Sequence, residues 1–183
     1  MNQKVKLAEL FGQRKLLRLL ALFLETPARE WTQREIRQAA KLAKPTMVKW
    51  LAELVRQRLI RLTKKGNVHL YTLSRDDAIV KQLKILTTLL ELRELAALRE
   101  THGCEVYLYG SAARGEDTEE SDIDILVIGK ATPRDIAPFL EPIAKRTAKV
   151  IRPQLFTAIA WSQMARKDPA FYQRVAKDRI SLA

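Results

Sequence analysis

The segment spanning residues 105–128 constrains the fold of this 183-residue chain more than any other. It opens with an apolar stretch that ends in Gly110 and Ser111, and a second apolar stretch begins around Asp122 and Asp124. Alternate side chains of a strand point to one face, about 6.6 Å apart along it, so the two carboxylates are expected side by side. The segment therefore predicts a strand, a glycine turn with a short helix, an acidic loop and a second strand.

These residue types are the ones that a metal–nucleotide complex needs. Paired carboxylates suit a hard cation such as magnesium, which prefers oxygen ligands. A glycine before a helix start leaves backbone N–H groups open to an anion and lets that anion approach closely. We therefore predict a metal site at Asp122 and Asp124 and a phosphate site at Gly110 and Ser111.

The same residues resemble the nucleotidyltransferase superfamily typified by DNA polymerase beta, and most closely its minimal nucleotidyltransferase members. The Gly-Ser turn and Ala-Arg-Gly helix of that family correspond to residues 110–115, and its Ser-Asp-x-Asp strand corresponds to residues 121–124. Ten residues separate Ser111 from Asp122. The resemblance covers residues 104–129 well and the rest of the second half loosely.

The resemblance implies transfer of a nucleoside monophosphate from a nucleoside triphosphate to an acceptor, with release of pyrophosphate and participation of Mg²⁺. It implies that Asp122 and Asp124 are catalytic and bind the metal. By the same resemblance Gly110 and Ser111 hold the β- and γ-phosphates, and Arg114 steadies phosphate charge.

One part of the family pattern is missing, because active members carry a third carboxylate on a following strand. The expected strand, residues 149–157, contains no acid, and Arg152 and Gln154 occupy the corresponding positions. Asp168 is expected to lie away from the site.

The alternative is a catalytically weak or inactive domain that senses a nucleotide or binds a partner within a transcriptional regulator. Related small domains also serve as antitoxins that modify a partner toxin.

The net charge of +12 is concentrated at one end of the chain. Residues 1–75 contain 17 Lys and Arg against five Asp and Glu, whereas residues 76–183 contain 16 of each class. A basic segment beside a neutral one indicates that the first half meets a polyanion.

The order of predicted elements in the first half is typical of one kind of DNA-binding domain. After a helix over residues 3–24, Thr32 and Glu35 form a capping box that starts a short helix, and Pro45 suits the start of a second. Two short strands joined by a basic turn follow within residues 59–73. This order resembles a winged helix-turn-helix domain, and the resemblance covers residues 12–73.

That resemblance implies that the helix beginning at Pro45 lies in the major groove of double-stranded DNA. Thr46 and Lys49 are then the residues nearest to base edges. The residues expected to contact phosphates are all basic, namely Lys44, Arg56, Lys64 and Lys65. The alternative is a structural or protein-binding winged helix whose basic face is merely solvated.

Residues 76–99 predict a long helix with two apolar seams. Either one seam packs on a second copy of the chain to form a homodimer, or both seams are buried within the monomer. We expect three parts: a winged helix-turn-helix domain (1–75), a linking helix (76–102) and a nucleotidyltransferase-like domain (103–183).

The remainder of the second half predicts an α+β fold with a mixed sheet. A helix is expected after Thr132, although Pro138 and Pro142 predict that it is short or broken. The strand over residues 149–157 is followed by two further helices. The single cysteine, Cys104, excludes an internal disulfide framework, and no signal peptide or membrane span is recognised, so we expect a cytoplasmic protein.

Overall fold

The computed structural model describes residues 12–182, and the chain forms two compact units that divide between Val80 and Lys81. Within the described residues no helix is both long and apolar enough to cross a membrane. The part of the expected first helix that precedes residue 12 lies outside the described residues. The first unit contains, in chain order, α1 (Arg14–Glu25), β1 (Trp31–Thr32), α2 (Gln33–Ala40), α3 (Lys44–Arg56), β2 (Ile60–Lys65) and β3 (Val68–Leu73).

The helices α2 and α3 begin at or directly before the residues that the sequence predicts. The Thr32 hydroxyl accepts a hydrogen bond from the backbone N–H of Glu35, and the Glu35 carboxylate accepts one from the N–H of Thr32, which completes the capping box. Pro45 lies in the first turn of α3. The antiparallel strands β2 and β3 meet at Gly66, and β3 also pairs with β1. The core is formed by apolar side chains of these elements, including Leu16, Leu20, Phe23, Ile36, Leu51, Leu54 and Ile60.

The second unit surrounds a four-stranded sheet. The helix α4 (Ala78–Glu91) contains the division between the two units. The elements that follow it are a 3₁₀ helix (Arg93–Ala96), α5 (Ala97–His102), β4 (Glu105–Tyr109), α6 (Gly110–Ala113), β5 (Ile123–Ile128), α7 (Pro133–Thr147), β6 (Ile151–Phe156), α8 (Ala158–Lys167), α9 (Pro169–Asp178) and β7 (Ile180–Ser181). The strand order is β6-β5-β4-β7, with β5 and β6 parallel and the other pairs antiparallel. The mixed sheet and the α+β class are therefore confirmed.

Both faces of this sheet are covered by apolar packing. Alternate residues of β5, among them Ile125 and Val127, lie in a core that includes Ile136 and Ile143 of α7. The intervening residue Leu126 packs on the opposite face. That second cluster includes side chains of α8 and α9, so the face that carries Asp124 is bordered by these two helices.

The long helix predicted over residues 76–99 is interrupted after Glu91, which corrects that expectation. Leu92, Leu95 and Leu98 are all fully buried. Side chains three residues apart point in the same direction on a 3₁₀ helix, whereas on an α-helix each successive one is rotated around the axis. The local 3₁₀ geometry thus turns all three leucines into the core.

The helix α7 is neither short nor broken, although Pro138 and Pro142 lie inside it. Each proline removes one intrahelical hydrogen bond to the carbonyl four residues earlier. Both prolines are exposed and lie four residues apart on the same side of the helix. Water can therefore satisfy the freed carbonyl groups, which explains why the helix continues.

Candidate active site

Asp122 and Asp124 flank the first residue of β5. Asp124 pairs with Tyr109 on β4 and with Arg152 on β6. It therefore lies on a strand that is paired on both sides, near the end of the sheet where β5 begins. It is half-buried, and the Asp122 side chain is 24% exposed. The strand geometry thus holds two carboxylates next to each other, as the sequence predicts.

The environment of Asp124 shifts its protonation toward the neutral form. Burial raises the pKa of Asp124, and the neighbouring Asp122 charge raises it further, while Arg152 and Arg174 act in the opposite direction. The net result is a pKa above the usual value for aspartate. A bound cation would reverse this balance by stabilising the ionised carboxylate.

Gly110 lies against the Asp124 carboxylate and begins α6. Its φ of +77° is in the left-handed region, and a Cβ added there would collide with Oδ2 of Asp124. Both features require glycine. The backbone of Gly110 and Ser111 can therefore reach the carboxylate pair more closely than any other residue type would allow.

Arg114 follows this turn and is held by two carboxylates. Its guanidinium donates to Glu116 at 2.8 Å and to Asp178 of α9 at 2.9 Å. These hydrogen bonds raise the pKa of Arg114, and together with Lys81 they lower the pKa of Glu116 to about 2. Arg114 thus ties α9 to the turn that carries Gly110.

The position expected for a third carboxylate is occupied by uncharged or basic side chains. Arg152 forms an ion pair with Asp122, whose Oδ2 lies 2.7 Å from the guanidinium, and Gln154 lies two residues further along the same face of β6. Among residues 12–182 no cluster of three or more Asp, Glu, His or Cys side chains is placed to hold a metal ion. Asp122 and Asp124 offer carboxylate oxygens, which are the ligands that magnesium prefers.

A pocket of about 480 Å³ opens beside Asp124 on the side of β6. Arg152 and Gln154 line it from the sheet, and Asp168 and Arg174 line it from the region of α9. Three aromatic rings complete its wall, those of Tyr109, Phe156 and Phe171. The expectation that Asp168 lies away from the site is therefore wrong, because α9 folds back over this face of the sheet.

A buried ion cluster fixes the acidic loop that precedes Asp122. Asp117 is 5% exposed and accepts hydrogen bonds from Lys84 at 2.6 Å and from Lys149 at 2.5 Å. Burial alone would raise the pKa of Asp117, but the two lysines outweigh it and hold the pKa below the usual value. The cluster joins α4, the acidic loop and the residues before β6.

Sequence reasoning missed several of these residues. Arg174, Asp178 and Lys84 carry no local motif. Lys84 and Asp178 meet their partners across large sequence separations, and Arg174 lines a pocket that distant elements form. Only a pattern of paired charges on adjoining elements would have indicated them, and that pattern is common on solvated surfaces.

The residues predicted to bind DNA all lie in the first unit. Lys44 and Lys49 are exposed on α3, Thr46 is half-buried there, and Lys64 is exposed on β2. The remaining two form ion pairs within the unit: Arg56 with Glu53, and Lys65 with Glu30. The Lys49 Nζ lies 4.8 Å from the centroid of the Trp50 ring.

Comparison with known proteins supports an assignment for the second unit. Residues 89–172 match the family model of a nucleotidyltransferase domain. A solved structure of a candidate nucleotidyltransferase from Sulfolobus solfataricus is similar, with 19% identity over 58% of this chain and 88% of that chain, and a TM-score of 0.33. A search of curated proteins found no match. On the family model, the second unit carries a nucleotidyltransferase domain.

Proposed function

We propose that the second unit transfers a nucleoside monophosphate from a nucleoside triphosphate to an acceptor in the presence of Mg²⁺. The observation that carries this proposal is the close approach of Gly110 to the Asp122 and Asp124 pair, inside a segment that matches a nucleotidyltransferase domain. The domain is proposed to be a minimal member of the DNA polymerase beta superfamily, on the string of residues from Gly110 to Asp124.

Each residue of the site has a proposed task. Asp122 and Asp124 hold the metal, and the glycine at position 110 lets the β- and γ-phosphates approach their carboxylates. When bound, magnesium would neutralise phosphate charge and align the leaving pyrophosphate. Arg114, already held by Glu116 and Asp178, contributes positive charge at the end of the turn.

A second function is favoured by one observation on β6. Arg152 and Gln154 lie where active relatives carry a carboxylate, so the domain has no built-in group of that kind to activate a hydroxyl. A domain of this composition is suited to bind a nucleotide as a sensor within a transcriptional regulator.

Pyrophosphate release separates the two functions. Each nucleoside triphosphate is incubated with the chain and Mg²⁺, and binding is followed in parallel by calorimetry. Release that disappears in the Asp122→Asn, Asp124→Asn variant supports transfer. Binding that requires Mg²⁺ without any release supports the sensor. Absence of both rejects the nucleotide site.

We further propose that the first unit is a winged helix-turn-helix domain that binds double-stranded DNA, with boundaries near residues 1–75 and a linking segment over 76–102. The order α2, α3 and the β2–β3 hairpin supports this proposal, as does the net charge of residues 1–75. Thr46 and Lys49 are assigned to base edges. The phosphate contacts are assigned to Lys44, Arg56, Lys64 and Lys65.

Salt dependence and sequence preference test this assignment together. The variant Lys64→Ala, Lys65→Ala should weaken binding to all duplexes alike and reduce the salt slope by up to about 2. Lys49→Ala should reduce the difference in binding affinity between preferred and random DNA sequences. A control that removes two exposed lysines from the second unit, Lys130→Ala with Lys145→Ala, should bind normally. Equal effects of the two double variants would reject the DNA-binding assignment.

The helix α4 is proposed as a homodimer contact. Leu86 and Leu90 are 42% and 62% exposed, and they lie four residues apart on one face of this helix. Exposed apolar side chains at helical spacing favour association with another helix. Sedimentation equilibrium of the chain and of Leu86→Lys with Leu90→Lys should give a dimer and a monomer respectively. A monomeric parent chain would reject this contact.

A further inference from the structure

The pocket beside Asp124 extends along β6, whereas Gly110 follows the end of β4, although Tyr109 at the end of β4 also lines the pocket. Asp124 pairs with Tyr109, which precedes Gly110, on one neighbouring strand and with Arg152 on the other, and the pocket extends along β6 past Gln154. In an in-line displacement the attacking group and the leaving group occupy opposite sides of the reacting phosphorus. If pyrophosphate leaves on the side of Gly110, the attacking group comes from the pocket.

Two guanidinium groups face this pocket. Arg174 has no ion-pair partner among residues 12–182, and its Cζ lies 5.6 Å from the centroid of the Phe171 ring, which holds the guanidinium beside the aromatic wall. Arg152 forms an ion pair with Asp122, and its side chain is 65% exposed. A cation that takes Asp122 as its ligand would release Arg152 toward the pocket. Two arginines are suited to bind the oxygens of a phosphate group.

The strand β6 supplies no carboxylate base to this pocket. Gln154 is an amide and cannot accept a proton at neutral pH. Asp168 is the carboxylate that lines the pocket besides Asp124, and its Oδ1 accepts a hydrogen bond of 2.9 Å from the backbone N–H of Phe171 as the cap of α9. A nucleophile that is already an oxyanion needs no proton removed before attack.

We propose that this pocket binds the acceptor and that the acceptor is a phosphate monoester. This inference rests on the transfer proposed above and names its substrate class. A phosphate monoester is largely dianionic at pH 7, so it supplies a charged oxygen that Arg152 and Arg174 can bind. Its oxygen attacks the α-phosphorus of the nucleoside triphosphate, a new P–O–P bond forms, and the bond to pyrophosphate breaks. No proton is transferred, and the charge is the same on both sides.

Two sources could present this chemistry, namely the 5′-phosphate of a nucleic acid strand and a free mononucleotide. The test therefore uses matched pairs: a DNA duplex with a 5′-phosphate or a 5′-hydroxyl group, and AMP or adenosine. Each acceptor is incubated with the chain, Mg²⁺ and nucleoside triphosphates labelled at the α-phosphorus. We expect label on the phosphate-bearing member of at least one pair, with at least a tenfold preference, and in a form that alkaline phosphatase does not release.

Variants separate acceptor binding from nucleotide binding. Arg174→Ala should lower kcat/KM for the phosphate acceptor at least tenfold, while its affinity for the Mg²⁺–nucleoside triphosphate complex stays within threefold. Arg179→Ala is the matched control, because this arginine also lies over a ring, that of Tyr107 at 4.6 Å, but outside the pocket. Calorimetric binding of the active phosphate acceptor to the chain without nucleoside triphosphate should weaken in Arg174→Ala and not in Arg179→Ala.

The outcomes that overturn the inference differ from those that overturn the proposed function. Label on hydroxyl acceptors with equal or greater efficiency overturns the phosphate assignment and leaves nucleotidyl transfer standing. Loss of transfer in Asp168→Asn, which keeps the helix cap, would show that attack requires a base and would also overturn it. Triphosphate binding without label on any phosphate probe overturns the inference as well. Absence of triphosphate binding removes the proposed function itself and the inference with it.

Discussion

The guanidinium of Arg152 lies 2.7 Å from Oδ2 of Asp122, and Arg152 occupies the position on β6 that pairs with Asp124. A positive charge is therefore built into the carboxylate pair. A metal ion that binds Asp122 has to displace this arginine. The contact thus joins Arg152, which stands where a third carboxylate was expected, to one of the two expected carboxylates, Asp122.

Arg152→Ala should strengthen the binding of Mg²⁺ in the absence of nucleotide. The arginine competes with the metal for Asp122, and an exposed ion pair contributes about 0.2–1 kcal/mol. The expected gain is therefore about 1.4- to fivefold in affinity for Mg²⁺, measured by calorimetry or by competition with Mn²⁺. Arg146→Ala removes an arginine from an exposed pair with Glu91 elsewhere in the unit and should leave the affinity unchanged. Weaker binding in Arg152→Ala would show that the arginine does not compete for the site.

Gln154→Glu should raise the number of metal ions bound with the nucleotide from one to two. The new carboxylate would lie on the same face of β6 as Arg152, beside the pocket that contains Asp124. Bound Mn²⁺ is counted by paramagnetic resonance in the presence of a non-hydrolysable nucleoside triphosphate. Gln163→Glu adds the same charge on the exposed side of α8 and serves as the control. A count that stays at one in Gln154→Glu would contradict the placement of the third ligand position.

Gly110→Ala should weaken nucleotide binding at least tenfold, because the added Cβ occupies the space of the Asp124 carboxylate. The control is Gly66→Ala, which has a similar positive φ of +59° but no atom within 4 Å of the added Cβ. Both substitutions carry the backbone cost of about 1–2 kcal/mol at a positive φ. Nucleotide titration and thermal unfolding are measured for both variants. The difference in nucleotide affinity between them reports the effect of the contact between the added Cβ and Asp124. Equal nucleotide affinity in the two variants would mean that Gly110 does not face the ligand.

Asp117→Asn should lower the free energy of unfolding by about 3 kcal/mol at neutral pH, because it leaves two lysines without their buried counter-charge. The folded pKa of Asp117 is lowered, so its stabilising contribution is complete above the unfolded value of about 3.9 and is lost as the pH falls through the lower folded value. The difference between the parent chain and Asp117→Asn should therefore shrink in acid.

Chemical denaturation between pH 3 and pH 7 measures this difference. Glu116→Gln provides the comparison, because Glu116 is adjacent in sequence and paired with Lys81 and Arg114 at the surface. The Glu116→Gln substitution should cost much less stability than Asp117→Asn, because exposed ion pairs contribute little. A similar loss in both variants would mean that burial of the Asp117 cluster contributes little.

The local features of the site could be predicted from the sequence because they depend on spacing within one strand or turn. Asp122 and Asp124 are two residues apart on β5, and Gly110 directly follows β4. Strand periodicity and the conformational freedom of glycine determine where such groups point. The same reasoning predicts the capping box at Thr32, whose partner is three residues away.

The rest of the site depends on how distant elements pack. Lys84 and Asp117 are 33 residues apart, and Arg114 and Asp178 are 64 residues apart. Asp168 reaches the pocket because α9 returns across the sheet, which no local pattern indicates. The interruption after Glu91 likewise reflects tertiary burial of Leu92, Leu95 and Leu98, which overrides the helical periodicity of residues 76–99.

Covalent transfer of label from nucleoside triphosphates is the decisive measurement for nucleotidyl transfer by the second unit. The chain is incubated with Mg²⁺ and each nucleoside triphosphate labelled at the α-phosphorus, with DNA, a mononucleotide or the protein itself as acceptor. We expect label in one acceptor, dependent on Mg²⁺ and absent from the Asp122→Asn, Asp124→Asn variant. Label transfer that survives in that variant, or no transfer to any acceptor despite tight nucleotide binding, would contradict this expectation.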